Sequence, residues 1–237
     1  MEIEISQTSD GSDTIFRKDL KESYHSTFGA ITESLHIFIN SCFLQILQKF
    51  PDSSETPLRQ ISIPGAPLNI LEIGFGTGLN ALLTLIETEK IRRKTVYTSL
   101  EPNPLETVYW MGLNYPRQFN SKEYTSLFYK LHLTPWDQPD KICSHFVLDK
   151  KSCKLETYSP VENHFHGVYF DPFSPAVQPE LWTEAIFQKL FTGMKPGGIL
   201  ITYSVKGAVV RACKAAGFYT EKLPGPPGKR HILQAIK

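Results

Sequence analysis

At 237 residues, 41% of them hydrophobic and 12% aromatic, the chain can bury the core of one large α/β domain but not two comfortable catalytic domains. Its formal net charge of +1 excludes the global basic field that drives nonspecific nucleic-acid binding, so a nucleic-acid partner requires a local basic patch. No apolar run approaches the ~20 residues of a membrane-spanning helix, and residues 1–6 lack the basic-then-apolar layout of a secretory signal.

The first ~20 residues alternate apolar and polar around Asp10-Gly11-Ser12-Asp13, which predicts a β-hairpin followed by polar loop. Ile31, Leu35, Phe38, Ile39, Phe43, Ile46 and Leu47 recur at helical spacing up to Phe50. Residues 1–50 therefore read as an accessory cap of hairpin and helix. The Pro-, Ser- and Gly-containing stretch 51–67 reads as a connector. Residues 68–237 then alternate strand and helix: strands at 69–73, 96–100, 166–170 and 198–203, helices at 79–89, 104–113, 179–190 and 207–216. Gly225-Pro226-Pro227-Gly228 turns 218–222 back against 231–236, so the sheet is expected to end in an antiparallel hairpin. Cys42, Cys143, Cys153 and Cys213 form no C-x-x-C pair and adjoin no histidine cluster. Reduced thiols, no metal site and a cytoplasmic address are expected.

Leu71-Glu72-Ile73-Gly74-Phe75-Gly76-Thr77-Gly78-Leu79-Asn80 follows a strand and opens a helix, so its glycines sit where the backbone must turn beneath a ligand. The spacing is G-x-G-x-G, whereas the nicotinamide and flavin loop is G-x-G-x-x-G. An acid before the loop suits a cation and would repel a pyrophosphate. S-adenosylmethionine is therefore the expected cofactor, with Glu72, Gly74, Phe75, Gly76, Thr77, Gly78 and Asn80 as its candidate binders. Glu101 ends the next strand, where an acid accepts hydrogen bonds from ribose hydroxyls in nucleotide-binding folds.

In Tyr169-Phe170-Asp171-Pro172-Phe173-Ser174-Pro175 an acid ends a buried strand, on the edge where open α/β sheets bind ligands. Methyl transfer is an in-line displacement, so it needs alignment and a nucleophile whose lone pair is free. Asp171 is the candidate catalytic residue, orienting an amine and helping its proton leave. Phe173 is placed to stack on a base. The plain alternative is that Asp171 and the prolines build a turn.

These segments, together with Tyr24-His25-Ser26, Glu33 to Asn40, Gln178-Pro179-Glu180-Leu181-Trp182 and Gly228-Lys229-Arg230, resemble the methyltransferase half of the bifunctional MnmC proteins of tRNA 5-methylaminomethyl-2-thiouridine biosynthesis. The resemblance implies a Rossmann-like class I S-adenosylmethionine-dependent methyltransferase, with a mostly parallel seven-stranded sheet ending in an antiparallel hairpin. It implies N-methylation of the 5-aminomethyl group of wobble uridine in tRNA, with Asp171 as the active-site aspartate and Glu33 and Asn40 on the cofactor side. Two departures follow. No second glycine motif comes after residue 100, so the flavin oxidoreductase half is expected to be missing and a separate oxidoreductase would supply the amine. Lys154-Leu155-Glu156 replaces the family's Asp-Leu near the adenine, with Glu156 as the substitute.

Lys206, Arg211, Lys229 and Arg230 offer a modest basic surface near the end of the chain, to be read as phosphate contacts or as solvated charge. Two other readings stay open: a methyltransferase or aminopropyl-transferring enzyme acting on a small-molecule amine, and a non-catalytic module that binds S-adenosylmethionine. Salt dependence separates the first from a tRNA enzyme, and turnover on tRNA separates the second.

Overall fold

The computed structural model describes residues 2–52, 66–119 and 121–237, so most of the expected connector lies outside the described residues. Strands β1 (Ile3–Gln7), β2 (Asp13–Arg17) and β3 (Glu22–Ser23) form a small antiparallel sheet in that order. Its first turn falls at Asp10-Gly11 as patterning predicts, with Gly11 at φ +83°. The Asp10 carboxylate accepts the Ser12 N–H at 3.0 Å and the Thr32 N–H at 2.8 Å, tying the hairpin to the first turn of the next helix. Asp13 and Asn114 exchange two hydrogen bonds of 2.9 Å, each from a backbone N–H to the other's side chain. They fasten the hairpin to the main body.

Helix α1 runs from Ala30 to Lys49, 20 residues whose most apolar 18-residue window has a mean hydropathy of 1.3. That is long and apolar enough to cross a bilayer, which corrects the expectation that no run approaches this length. Its apolar side chains are core: Ile37, Phe38, Ile39, Cys42, Phe43 and Ile46 are at most 2% exposed. Residues Leu35–Phe43 form a π-helix inside it, where i→i+5 bonding widens the turn. The Ser41 hydroxyl donates to the His36 carbonyl at 2.8 Å.

The remaining strands are β4 (Leu68–Ile73), β5 (Thr95–Leu100), β6 (Asp140–Lys141), β7 (Phe146–Lys151), β8 (Phe165–Phe170), β9 (Met194–Thr202), β10 (Tyr219–Pro224) and β11 (His231–Ile236). They make one sheet in the order β10-β11-β9-β8-β4-β5-β7-β6. Pairings among β9, β8, β4, β5 and β7 are parallel, and β11 and β10 close the end antiparallel. The two-residue β6 makes the sheet eight-stranded rather than seven-stranded. Side chains alternate between two cores. Ile70, Tyr169, Ile199 and Ile201 face α1, α2 (Leu79–Ile91) and α5 (Lys122–Leu133). Leu71, Ile73, Val168, Phe170 and Leu200 face α6 (Glu184–Gly193) and α7 (Gly207–Ala215).

Pattern reading and structure differ at three places. The helix expected over 104–113 shrinks to α3 (Thr107–Trp110), with α4 (Tyr115–Gln118) after it. The helix expected over 179–190 divides into a 3-10 turn, Pro179–Trp182, and α6, because the Thr183 hydroxyl caps the Ile186 N–H and starts a new helix. Helix α5 and strand β7 fall in a stretch left without elements.

Candidate active site

Parallel strands leave their carboxyl ends, and the turns that follow, on one edge of the sheet. Here that edge carries a cleft of about 420 Å³, walled by the glycine loop after β4, the segments after β5, β7, β8 and β9, and residues of the N-terminal cap. Gly74, Gly76 and Gly78 all adopt positive φ, at 93°, 50° and 73°, a region costly for a residue with a Cβ. Space is equally short: a Cβ on Gly74 would stand 3.0 Å from the Asp171 carbonyl oxygen, and one on Gly76 3.0 Å from the Tyr24 ring. The loop is fixed from both sides. His25 Nε2 meets the Thr77 hydroxyl at 2.9 Å, and His132 Nε2 meets the Thr77 carbonyl at 3.1 Å. Burial lowers His25 to about 4 and His132 to about 3, so both rings are neutral at pH 7.

Glu101, at the end of β5, turns inward. Its carboxylate accepts the Gly76 N–H at 3.2 Å and the Asn103 N–H at 3.0 Å, and burial raises its pKa despite those bonds. Glu72 is completely buried. Ser99 donates to its Oε2 at 2.6 Å, and burial drives its carboxyl up to about 8 against the opposing effects of Ser99, Tyr97 and Asn80.

Asp171 leaves β8 with its N–H donating to the Ile73 carbonyl at 3.2 Å. The Asn80 amide, from the first turn of α2, donates to its Oδ2 at 3.0 Å. Enclosure, followed by the nearby Glu33 carboxylate, raises Asp171 to about 8, against the opposing effects of Asn80 and Lys229. Behind Asp171, the Tyr203 hydroxyl donates to the Pro172 carbonyl at 2.8 Å, the Trp182 indole to the Phe173 carbonyl at 3.0 Å, and the Phe173 N–H to Gln178 Oε1 at 2.8 Å. Glu22, from the cap, takes both the N–H and the hydroxyl of Ser174 at 3.0 Å. The segment after β8 is thus held by five separate side chains.

Glu33 and Lys229 close the cleft from opposite ends of the sequence, with Nζ 2.6 Å from Oε1 and 4.5 Å from the Tyr203 ring centre. The other Glu33 oxygen accepts the Ser26 N–H at 2.7 Å.

Of the residues singled out by sequence, Glu33, Gly74, Phe75, Gly76, Thr77, Asn80, Glu101, Glu156, Asp171, Phe173 and Lys229 line this cleft. Glu72 and Gly78 lie outside its lining, Glu72 buried and Gly78 packed against His132. Asn40 is exposed and does not reach the cleft. Residues 33 and 40 would share one face of an α-helix, but the π segment between them alters the turn. Lys206, Arg211 and Arg230 are exposed and are not part of the lining either. Lys154 and Glu156 are exposed at the rim, while Leu155 between them is buried. Sequence reasoning did not single out Glu22, Arg17 or Tyr203, which also line the cleft. Their separation in the chain gave no local pattern to find them by.

A family model described as S-adenosyl-L-methionine-dependent methyltransferase matches residues 143–237. The bifunctional protein MnmC of tRNA 5-methylaminomethyl-2-thiouridine biosynthesis from Paracidovorax citrulli is 31% identical over 197 residues, 76% of this chain and 30% of that protein. The Caulobacter vibrioides counterpart is 28% identical over 222 residues, 90% of this chain and 34% of that protein. The chain spans about a third of the length of these curated relatives. The crystal structure of MnmC2 from Aquifex aeolicus matches with TM-score 0.79 and 25% identity, covering 99% of this chain and 70% of that one. Spermidine synthase from Thermotoga maritima shares the fold, with TM-score 0.52 and 15% identity over 99% of this chain and 72% of that one. Fold, cleft and family model together define an S-adenosylmethionine-dependent methyltransferase of the Rossmann-like class. Within that class, the chain is an MnmC2-like methyltransferase domain.

Proposed function

We propose that this domain N-methylates the 5-aminomethyl group of (2-thio)uridine at the wobble position of tRNA, in the cytoplasm. The observation that carries the reading is the Asp171 carboxyl at the end of β8, bonded to Asn80 and facing the same cleft as the glycine loop. The names of the curated relatives supply the nucleoside.

The cleft fits S-adenosylmethionine by its charge. Among the described residues, six carboxyl groups, Glu22, Glu33, Glu101, Glu156, Asp171 and Glu180, line it against three cations, Arg17, Lys154 and Lys229. Even with Asp171 protonated in the free protein the acids outnumber the cations, a balance that welcomes a sulfonium and repels a pyrophosphate. The unpartnered Asn80 Oδ1, on a residue that lines the cleft, adds a buried acceptor on the same side. Gly74, Phe75, Gly76, Thr77 and Asn80 would hold the cofactor along the loop, Glu101 its ribose, and Glu33 and Glu156 its two ends. S-adenosylmethionine, when bound, supplies an electrophilic methyl group.

The chain's own residues prepare the acceptor. A primary alkyl amine, with a pKa of roughly 10, is mostly protonated in water. Asp171 in its ionised form accepts the hydrogen bond of that ammonium, fixes its direction, and takes up the proton that leaves. Phe173 gives the base a face to pack on. The flavin-dependent step that exposes the amine would belong to a separate oxidoreductase, and exposed Lys206 and Arg230 with Lys229 at the cleft would meet phosphates.

The test is incubation of the protein with labelled S-adenosylmethionine and tRNA from cells lacking it, followed by nucleoside mass analysis. Label in 5-methylaminomethyl-uridine, lost steeply with added salt, supports the reading. Label in a small amine that survives ribonuclease treatment, with weak salt dependence, would transfer it to the small-molecule alternative. Asp171→Ala is expected to lower turnover by about 10²–10⁴-fold while cofactor affinity is kept.

A further inference from the structure

Lys150, on β7, is an anomaly that the methyl-transfer chemistry does not use. It is completely buried, yet its ammonium has no carboxylate partner among the described residues. It donates instead to the His132 carbonyl at 2.8 Å and lies 4.6 Å from the Trp136 ring centre and 5.2 Å from that of Phe75. A buried cation without a counter-charge is costly unless its surroundings replace water, and here two ring faces and one carbonyl do so.

Each of those partners touches the glycine loop. Phe75 stands between Gly74 and Gly76 and contacts His132 edge-on at 5.3 Å. His132 bonds the Thr77 carbonyl, and a Cβ on Gly78 would stand 2.8 Å from its Nε2. The ring is stacked flat on Trp110 at 4.4 Å, so its backbone and its ring are both fixed. We propose that Lys150 is a positioning residue: its ammonium clamps His132 and Phe75 against the glycine loop and thereby holds residues 74–78 in the shape that receives the cofactor. The inference rests on the methyltransferase reading above.

Burial alone lowers the Lys150 ammonium to about 8. The clamp is charged below that pH and is lost above it. The groups facing it are the neutral His132 from α5, Phe75 from the loop and Trp136, next to Asp137, whose N–H donates to the Lys150 carbonyl at 2.7 Å. His132 titrates far below this range.

The test compares the unmodified chain with K150M, using calorimetric affinity for S-adenosylhomocysteine and the amide resonances of Gly74, Gly76 and Gly78 between pH 6.5 and 9.5 (roughly two half-ranges about the midpoint). K150M is expected to bind on the order of tenfold more weakly, and its loop amides to lack a titration step near pH 8 that the unmodified chain shows. A folded K150M with unchanged affinity and the same step overturns the proposal. If K150M fails to fold, E72Q and D171N decide, because they remove the other two groups raised to about 8. The loop step persists in both variants if Lys150 is its source, and its disappearance in either overturns the inference. Failure of the unmodified chain to bind S-adenosylhomocysteine would instead sink the methyltransferase reading, with the loop titration still readable.

Discussion

Asn80 and Asp171 are joined by a 3.0 Å hydrogen bond across 91 residues of sequence, linking the helix that opens beneath the glycine loop to the end of β8. The amide N–H favours the ionised carboxylate and opposes the burial that raises it.

Asn80→Ala removes that bond, and the Asp171 carboxyl is expected to titrate at a still higher pH. The acidic limb of kcat/KM against pH should therefore shift upward, with activity at pH 9 better preserved than activity at pH 7. A full profile for both proteins checks this, and an unshifted limb would separate Asp171 from the rate-controlling proton.

Proton release is expected when S-adenosylmethionine binds near pH 7. Glu72 and Asp171, both raised to about 8 in the free protein, are largely neutral there, and a cationic ligand draws them toward ionisation. S-adenosylhomocysteine lacks the sulfonium charge and should release fewer protons. Calorimetry of both ligands in buffers of different ionisation heat measures the difference.

Glu72→Gln is expected to stabilise the free protein at alkaline pH. The ordinary pKa is 4.5 and the folded value about 8, so the folded state binds the proton more tightly. Stability from this group is full below about 4.5 and is lost as pH rises through 8. Glutamine cannot ionise, so the gain in Tm over the unmodified chain should grow from pH 5 to pH 8. Equal melting curves at pH 8 would contradict the buried, proton-holding carboxyl.

Gly74→Ala places a side chain at φ +93° and brings Cβ to 3.0 Å from the Asp171 carbonyl. A stability loss of about 1–3 kcal/mol is expected, measured by denaturant unfolding. Turnover should fall further than stability alone explains, because the backbone that must give way is the one carrying Asp171.

What sequence revealed was local. The glycine loop, Glu101 and the acid ending β8 each sit within a few residues of a recognisable strand, and all reach the same cleft. Strand β7 was hidden by Lys150. Its burial alternates along Phe146–Lys151, but a lysine at an inward position breaks the apolar alternation that marks a strand. Helix α5 was hidden differently, since only Phe128 and Leu131 of its twelve residues are buried. Asn40 came from the family resemblance, and it stands exposed beyond the cleft, on the π segment of α1 that a 3.6-residue period does not reveal. The contacts of Glu22 with Ser174 and of Glu33 with Lys229 join residues more than 150 positions apart, beyond the reach of any pattern in a window.

The Glu33–Lys229 pair also sets an order of events during synthesis. Glu33 emerges from the ribosome long before Lys229, and the strands between them have time to assemble. Until the last hairpin arrives, the acidic wall stands without its cation. A chain without residues 219–236 would therefore lack both the cation opposite Glu33 and the strand, β11, that borders β9.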